Sequence, residues 1–408
     1  MAGAAAAVSP PVEKADATAW IAVAAGALGA MLATLDISIV NSALPTIQGE
    51  IGATGTEGTW IATAFLVAEI IIIPLSAWLE RLLGLRTLLI VAVSAFTAFS
   101  VLCGIATDLT TMIIGRTGQG FMGGALIPTA MTIVAKRLPP SQQPIGMALF
   151  GMTVVLGPVM GPLVGGWLTE NLSWHYAFFV NVPVCALLLA LLFIGLPHEK
   201  PDWVYLREAD WAGIAGMILG LGGLTIVLEE GHREEWFDST LIVQLTLMTV
   251  VGFALLTYGQ LYARKPVLKL RLMLSRQFAS VVVMALALGM VMYGSTYVIP
   301  QFLAIISDYN ALQTGLVIFW MGVPAFLLMP VLPFMIRRIH IRIAVGAGMF
   351  IMALSCFVSI NLTAESGGGV FTESQFLRGI GMILTMMFLN QATVASVAKE
   401  DAGDASGI

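Results

Sequence analysis

Charge is scarce in this sequence. Only 11% of its 408 residues are Asp, Glu, Lys or Arg, against about a quarter in ordinary soluble domains. The 24 acidic and 19 basic residues cluster in short segments between long apolar runs, and 58% of the chain is apolar. One water-soluble core cannot hide so many apolar residues, which excludes an ordinary soluble globule. Histidine is rarer still: His175, His198, His232 and His340 all lie at or near loops. No HExxH, Walker or G-x-S-x-G pattern is present, so catalysis has no support and no catalytic or metal-ligating residue is assigned. Three cysteines, Cys103, Cys185 and Cys356, sit in separate apolar runs without CxxC spacing and read as small core residues. The first residues lack the basic start and cleavage site of a signal peptide, and 1–18 read as a disordered tail before an uncleaved first span. A membrane β-barrel is excluded because runs such as Ala212–Leu228 do not alternate.

The long apolar runs remain, and they define an all-α polytopic membrane protein. Spans are expected near 19–44, 58–79, 87–106, 111–135, 145–169, 175–196, 211–229, 240–262, 278–303, 312–336, 343–362 and 371–397. With the N-terminus in the cytoplasm, the inner segments hold sixteen Lys and Arg, among them Arg81, Arg86, Lys136, Arg137, Arg264, Lys265, Arg337 and Lys399, and the outer ones hold only Arg233. That bias sets the expected orientation. The acidic loop from Glu229 to Asp238 then faces outward.

Two basic residues lie inside spans. Arg116 and Arg378 each sit about six residues, or ~9 Å of helical rise, below the expected outer surface. Their settings match, Met112 to Gly120 against Ser374 to Gly381, and each follows a basic inner loop, Arg81–Arg86 or Arg337–Arg342. This is the mark of a parallel repeat, two pseudo-symmetric halves related by an axis along the membrane normal. The division expected is a six-span half over 19–197, a two-span linker insertion with its loops over 198–277, and an incomplete half over 278–408. If the repeat is complete in the parent, two spans are missing after residue 408.

Carboxylates at bilayer depth are costly and need an offset, about 2.5–3.5 kcal/mol for Asp on insertion scales. Asp36, with Asn41 in the same span, reads either as a structural ion-pair partner of Arg116 or as a protonatable or cation-facing group that takes part in coupling. Glu69, nine residues below Trp60 and so about 14 Å down the helix, has no Lys or Arg expected at its depth. Desolvation disfavours its anion. It reads as a proton-coupling or substrate-contact residue, or as a neutral Glu hydrogen-bonded to a neighbouring helix. Arg116, Gln119, Gly120 and Gly123 fall on adjacent turns of one face. Gly157, Gly161 and Gly165, with Pro158, Pro162 and Gly166, form a stripe that permits close helix contact or a hinge.

Together these segments resemble the fourteen-span drug:proton antiporter branch of the major facilitator superfamily, over essentially the whole chain. Leu35 to Pro45 looks like its first-span motif, Arg116-x-x-Gln119-Gly120 like its fourth-span motif, and Gly157-x-x-x-Gly161-Pro162-x-x-Gly165-Gly166 like its antiporter motif. Trp174 to Pro183, Asp210-Trp211-x-Gly213 and Glu235-Trp236-Phe237 are similar to further landmarks. The inner loop from Ala77 to Arg86 departs from pattern, with Ala77 for Gly and Arg81 for Asp. The resemblance implies a major facilitator bundle with two linker spans, its last C-terminal spans absent here. It implies proton-driven export of hydrophobic or amphipathic compounds across the inner membrane, with the proton gradient as energy source and no cofactor. Asp36, Glu69, Arg116, Asn41 and Gln119 are the expected coupling or recognition residues, the glycine stripe the conformational interface, and Arg378 the second-half counterpart. Partners expected are small molecules, protons and the bilayer, with no nucleic acid; some relatives also use a periplasmic adaptor and an outer-membrane channel. The other readings are a specific exporter or facilitator of a metabolite, siderophore or lipid, and a non-transporting membrane receptor or scaffold.

Overall fold

The computed structural model describes residues 14–397 and 405, apart from 264–265, 310, 329–330 and 364–365. Most of the expected tail, residues 1–13, therefore lies outside the described residues, as do Arg264, Lys265 and Lys399. The helices used below are α1 (Ala17–Ile51), α2 (Trp60–Leu83), α3 (Leu85–Gly104), α4 (Leu109–Gly123), α5 (Leu126–Arg137), α6 (Gln143–Asn171) and α7 (Asn181–Gly195). They continue with α8 (Trp211–Glu230), α9 (Thr240–Tyr262), α10 (Arg276–Ile306), α11 (Ala311–Leu328), α12 (Leu332–Arg338), α13 (Ile341–Val358) and α14 (Phe371–Ala395).

Each expected span has a helical counterpart. Nine of them are long and apolar enough to cross a membrane among the described residues. The others depart for visible reasons. The run at 111–135 is divided into α4 and α5 at Gly124 and Ala125, and that at 312–336 into α11 and α12. The last, α14, is continuous but carries Glu373, Gln375, Arg378, Asn390 and Gln391. Helix α6 runs unbroken through Pro158 and Pro162.

Helix starts follow their capping chemistry. Asp16 caps α1 by accepting the Ala19 amide, and Asp108 caps α4 through Thr111. Between α2 and α3 the chain turns on Gly84 at φ 79°, where an added Cβ would meet Glu199 at 2.7 Å. Glu199 itself accepts the Leu85 amide at 2.6 Å, so the segment after α7 closes the start of α3.

In the first half, α1 lies at the centre, packed on α5, α6 and α7, while α4 is held between α2 and α3. A core of Phe65, Phe96, Leu126, Ile133, Leu188 and Leu192 ties these helices together. The linker helices α8 and α9 form a tight hairpin, because Gly216, Gly220 and Gly252 bring the two backbones into contact. That hairpin lies along α2: Gly222 packs on Ile71, and Trp78 meets Trp211 edge-on at 6.5 Å. At the opposite end Thr63 donates to Glu230 at 3.0 Å, and Arg233 pairs with Glu230 and donates to Thr59. Glu230, at the start of the acidic loop, is thus buried.

Helices α10, α11, α13 and α14 form the second body around Met321, Met352, Met382, Ile383 and Phe388. It meets the first mainly through α6, where Gly322 faces Val159 and Gly315 comes close to Leu163. Cys103 and Cys185 are buried, whereas Cys356 is exposed on α13 and is no core residue.

Candidate functional site

Asp36 points into the first half with 0% of its surface exposed, and three side chains from two other helices converge on it. Arg116 of α4 binds its Oδ2 through Nη1 at 2.6 Å. Its Oδ1 accepts from Gln119 at 3.2 Å and from Asn181 of α7 at 2.6 Å. The Arg116 guanidinium has further partners: Nε donates to the Ile61 carbonyl at 3.1 Å, Nη1 also to Gln119 Oε1 at 3.2 Å, and the group lies 4.2 Å over the Phe65 ring. Asn181 reaches on to Ser100 at 3.0 Å, whose hydroxyl donates to the Phe178 carbonyl at 2.8 Å. An ion pair out of water needs further hydrogen bonds to each partner, and here both charges have them.

The pairing of Asp36 with Arg116 is one of the two arrangements expected from the sequence. Gln119 joins it, because it lies one turn along α4. Asn41 does not: it is exposed on α1, five residues on and therefore turned to another face. Asn181 and Ser100 are the members the sequence reading did not single out. Asn181 had a usable signal, a lone amide between Val180 and Val182 in an apolar span.

Glu69 stands apart from this network. It is 8% exposed and makes no hydrogen bond among the described residues. Its chain packs against Gly124, where the fourth span is divided and no side chain intervenes. The expectation that no cation reaches its depth is corrected, since the long Arg116 side chain comes within electrostatic range, as does Asp36. Tyr293 of α10 is within that range from the second body. The Arg116–Asp36 pair is neutral as a unit, so the Glu69 carboxylate is the uncompensated charge of the group.

Arg378 repeats Arg116 in burial, at 3% exposure, and donates to Gln375 of its own helix. It forms no ion pair with a carboxylate among the described residues. The reason is compositional: the only acidic residue in α10, α11, α13 and α14 is Glu373. The two halves are alike in their arginines and unlike in their acids.

The glycine stripe of α6 faces α1. A Cβ on Gly157, Gly161 or Gly165 would overlap Thr34, Ser38 or Ser42, which repeat at the same four-residue interval. Those hydroxyls bond back to α1 carbonyls, Thr34 to Ala30 at 3.1 Å, Ser38 to Thr34 at 3.2 Å and Ser42 to Ile39 at 2.7 Å. Small residues on both helices thus permit close backbone contact. Gly166 is buried on α6, and around Pro162 the other side of the helix meets α11. In the altered inner loop the carboxylate is displaced by one position: Glu80 pairs with Lys136 of α5 at 2.6 Å, and Arg81 donates to the Ala77 carbonyl at 3.2 Å.

Two helical bodies joined along α6, with a buried ion-paired network inside one of them, define a multi-pass membrane protein built like a transporter. The Major Facilitator Superfamily model matches residues 26–408, and the chain belongs to that family. It is 32% identical over 391 residues to the colistin resistance protein EmrB of Acinetobacter baumannii, covering 96% of this chain and 76% of that one. It is 31% identical to the multidrug export protein EmrB of Escherichia coli K12, covering 93% and 74%, and 31% identical to the fatty acid resistance protein FarB of Neisseria gonorrhoeae, covering 94% and 75%. The human organic anion transporter MFSD10 shares the fold with a TM-score of 0.63 at 17% identity, over 98% of this chain and 89% of that one.

Proposed function

We propose that this protein is a multidrug exporter of hydrophobic and amphipathic compounds, driven by proton influx across the inner membrane with its N-terminus in the cytoplasm. The observation that carries the reading is the pairing of a hydrogen-bonded, neutral Arg116–Asp36 unit with an uncompensated Glu69 beside it. A carboxylate in that setting is held neutral by a proton or balanced by a cation, since the desolvation of a lone charge is prohibitive. Proton loss and regain at Glu69 then accompany the exchange of sides, with the Arg116 charge within electrostatic range. The names of the EmrB relatives support multidrug export, and the name of FarB adds amphipathic acids to the compounds to be tried. The gradient is the energy source and no cofactor takes part. A periplasmic adaptor is a proposed partner on the outer side.

The test is substrate-dependent proton flux in proteoliposomes carrying the full-length protein, with lipophilic cations, neutral drugs and fatty acids as candidates. Antiport is expected for several compounds. Transport of a single compound would replace this reading with a specific metabolite carrier, and flux of none would remove transport altogether.

A further inference from the structure

A second binding place lies on the outside of the bundle, away from the charged network. Between the start of α3 and the end of α7 is a groove of about 380 Å³ lined by Arg86, Thr87, Ile90, Val91, Phe193 and His198. The Arg86 guanidinium crosses from α3 to lie 5.4 Å over the Phe193 ring of α7. Arg86, the Thr87 hydroxyl and His198 have no hydrogen-bond or carboxylate partner among the described residues. The neighbouring acid, Glu199, is engaged elsewhere, accepting the first amide of α3 at 2.6 Å. Three polar groups therefore converge on one rim without a protein acceptor. Below them the floor is apolar and open, Val91 being 49% and Phe193 53% exposed.

This rim is at the basic end of the bundle, level with Arg81 and Lys136, which the proposed orientation sets at the cytoplasmic leaflet. Membrane surfaces there carry anionic lipids. We infer that the groove binds an anionic phospholipid, its phosphate against Arg86, Thr87 and His198 and its acyl chains over Ile90, Val91 and Phe193. A free phosphate would satisfy the rim and leave the floor bare. A lipid satisfies both, and Arg is suited to phosphate through its planar fork of donors. The same lipid would sit where the segment from Glu199 to Asp202 crosses the turn between α2 and α3, with the Asp202 amide on the Leu82 carbonyl at 2.8 Å.

The experiment equilibrates the full chain with mixed vesicles of phosphatidylcholine and phosphatidylglycerol, purifies it in mild detergent, and counts retained lipid by mass spectrometry. Wild type is expected to retain phosphatidylglycerol in preference to phosphatidylcholine. Arg86→Gln should lower that retention roughly fivefold, the weight of one cation near an anionic lipid surface, and the double change with His198→Gln should lower it further. Val91→Trp, at an exposed position, fills the floor with the polar rim intact and should also lower retention. This second variant keeps the test open if the first folds poorly. Equal retention in wild type, Arg86→Gln and Val91→Trp would overturn the inference. Displacement of phosphatidylglycerol by inorganic phosphate alone, with Val91→Trp unaffected, would overturn the lipid assignment. Neither outcome depends on whether the chain transports anything.

Discussion

At the scale of single residues, Asp36 and Glu69 differ in how their charge is answered, and this gives separable expectations. Asp36→Asn leaves Arg116 buried without a counter-charge, which costs about 3–5 kcal/mol when one partner of such a pair is removed. Adding Arg116→Gln should recover much of that loss, measured by thermal unfolding in detergent as a double-mutant cycle; an additive loss would show that the pair contributes nothing jointly. Glu69→Gln should leave stability near wild type and abolish proton-driven export, and undiminished gradient-driven efflux from that variant would remove Glu69 from coupling. Outside the membrane, Asp108 caps α4, and the Thr111 amide and then its hydroxyl hold the Asp108 carboxyl below its ordinary range. The cap's contribution is complete above the unfolded carboxyl value, ~3.9, and is lost as pH falls through the lower folded value. Protection of the Thr111 amide relative to its intrinsic exchange rate should therefore fall in acid, and in Asp108→Ala it should be low at every pH. The two acids were legible in the sequence because each interrupts an apolar run. Asn181 was less so, since an amide interrupts more quietly, and its bond to Asp36 spans 145 positions, a distance no local pattern encodes.

At the scale of elements, the stripe on α6 was legible as a close contact but its partner was not. Glycines at four-residue spacing announce that a backbone passes, and which backbone depends on topology. The answer is α1, within the same half, through Thr34, Ser38 and Ser42. Gly161→Ala should accordingly destabilise by about 1–3 kcal/mol, as overpacking of a tight core does, with Ser38→Gly restoring it in the double variant. If Ser38→Gly gives no rescue, as read by thermal unfolding of the purified variants, the α1 contact is not what the stripe serves. The break in the fourth span had a signal too, the pair Gly123-Gly124, but the sequence reading ran one span through it. Glycine pairs are frequent in membrane helices, and only the packing of Glu69 against Gly124 distinguishes this one.

For the whole molecule, the repeat of Arg116 in Arg378 made the two-body plan readable, while the docking of the linker hairpin was hidden. Nothing in an apolar helix such as α9 says which flank of which half it will cover. Its position predicts that hairpin and first half travel together. In a background with Cys356→Ser, bridging Trp78→Cys to Trp211→Cys with a short bis-maleimide should leave transport intact, whereas bridging Val159→Cys to Gly322→Cys across the halves should arrest it. Arrest by the first bridge would mean that the hairpin moves relative to α2. The uneven distribution of acids between the halves reaches beyond mechanism into how such a protein can diverge. With Asp36 and Glu69 confined to one body, the four helices of the other hold Arg378 but no ion-paired carboxylate whose partner must be kept in step. Random substitutions lining α10 and α11 should therefore be tolerated more often than those on α1 and α4, so that descendants of this gene could acquire new cargoes by drift in one half while the other stays fixed.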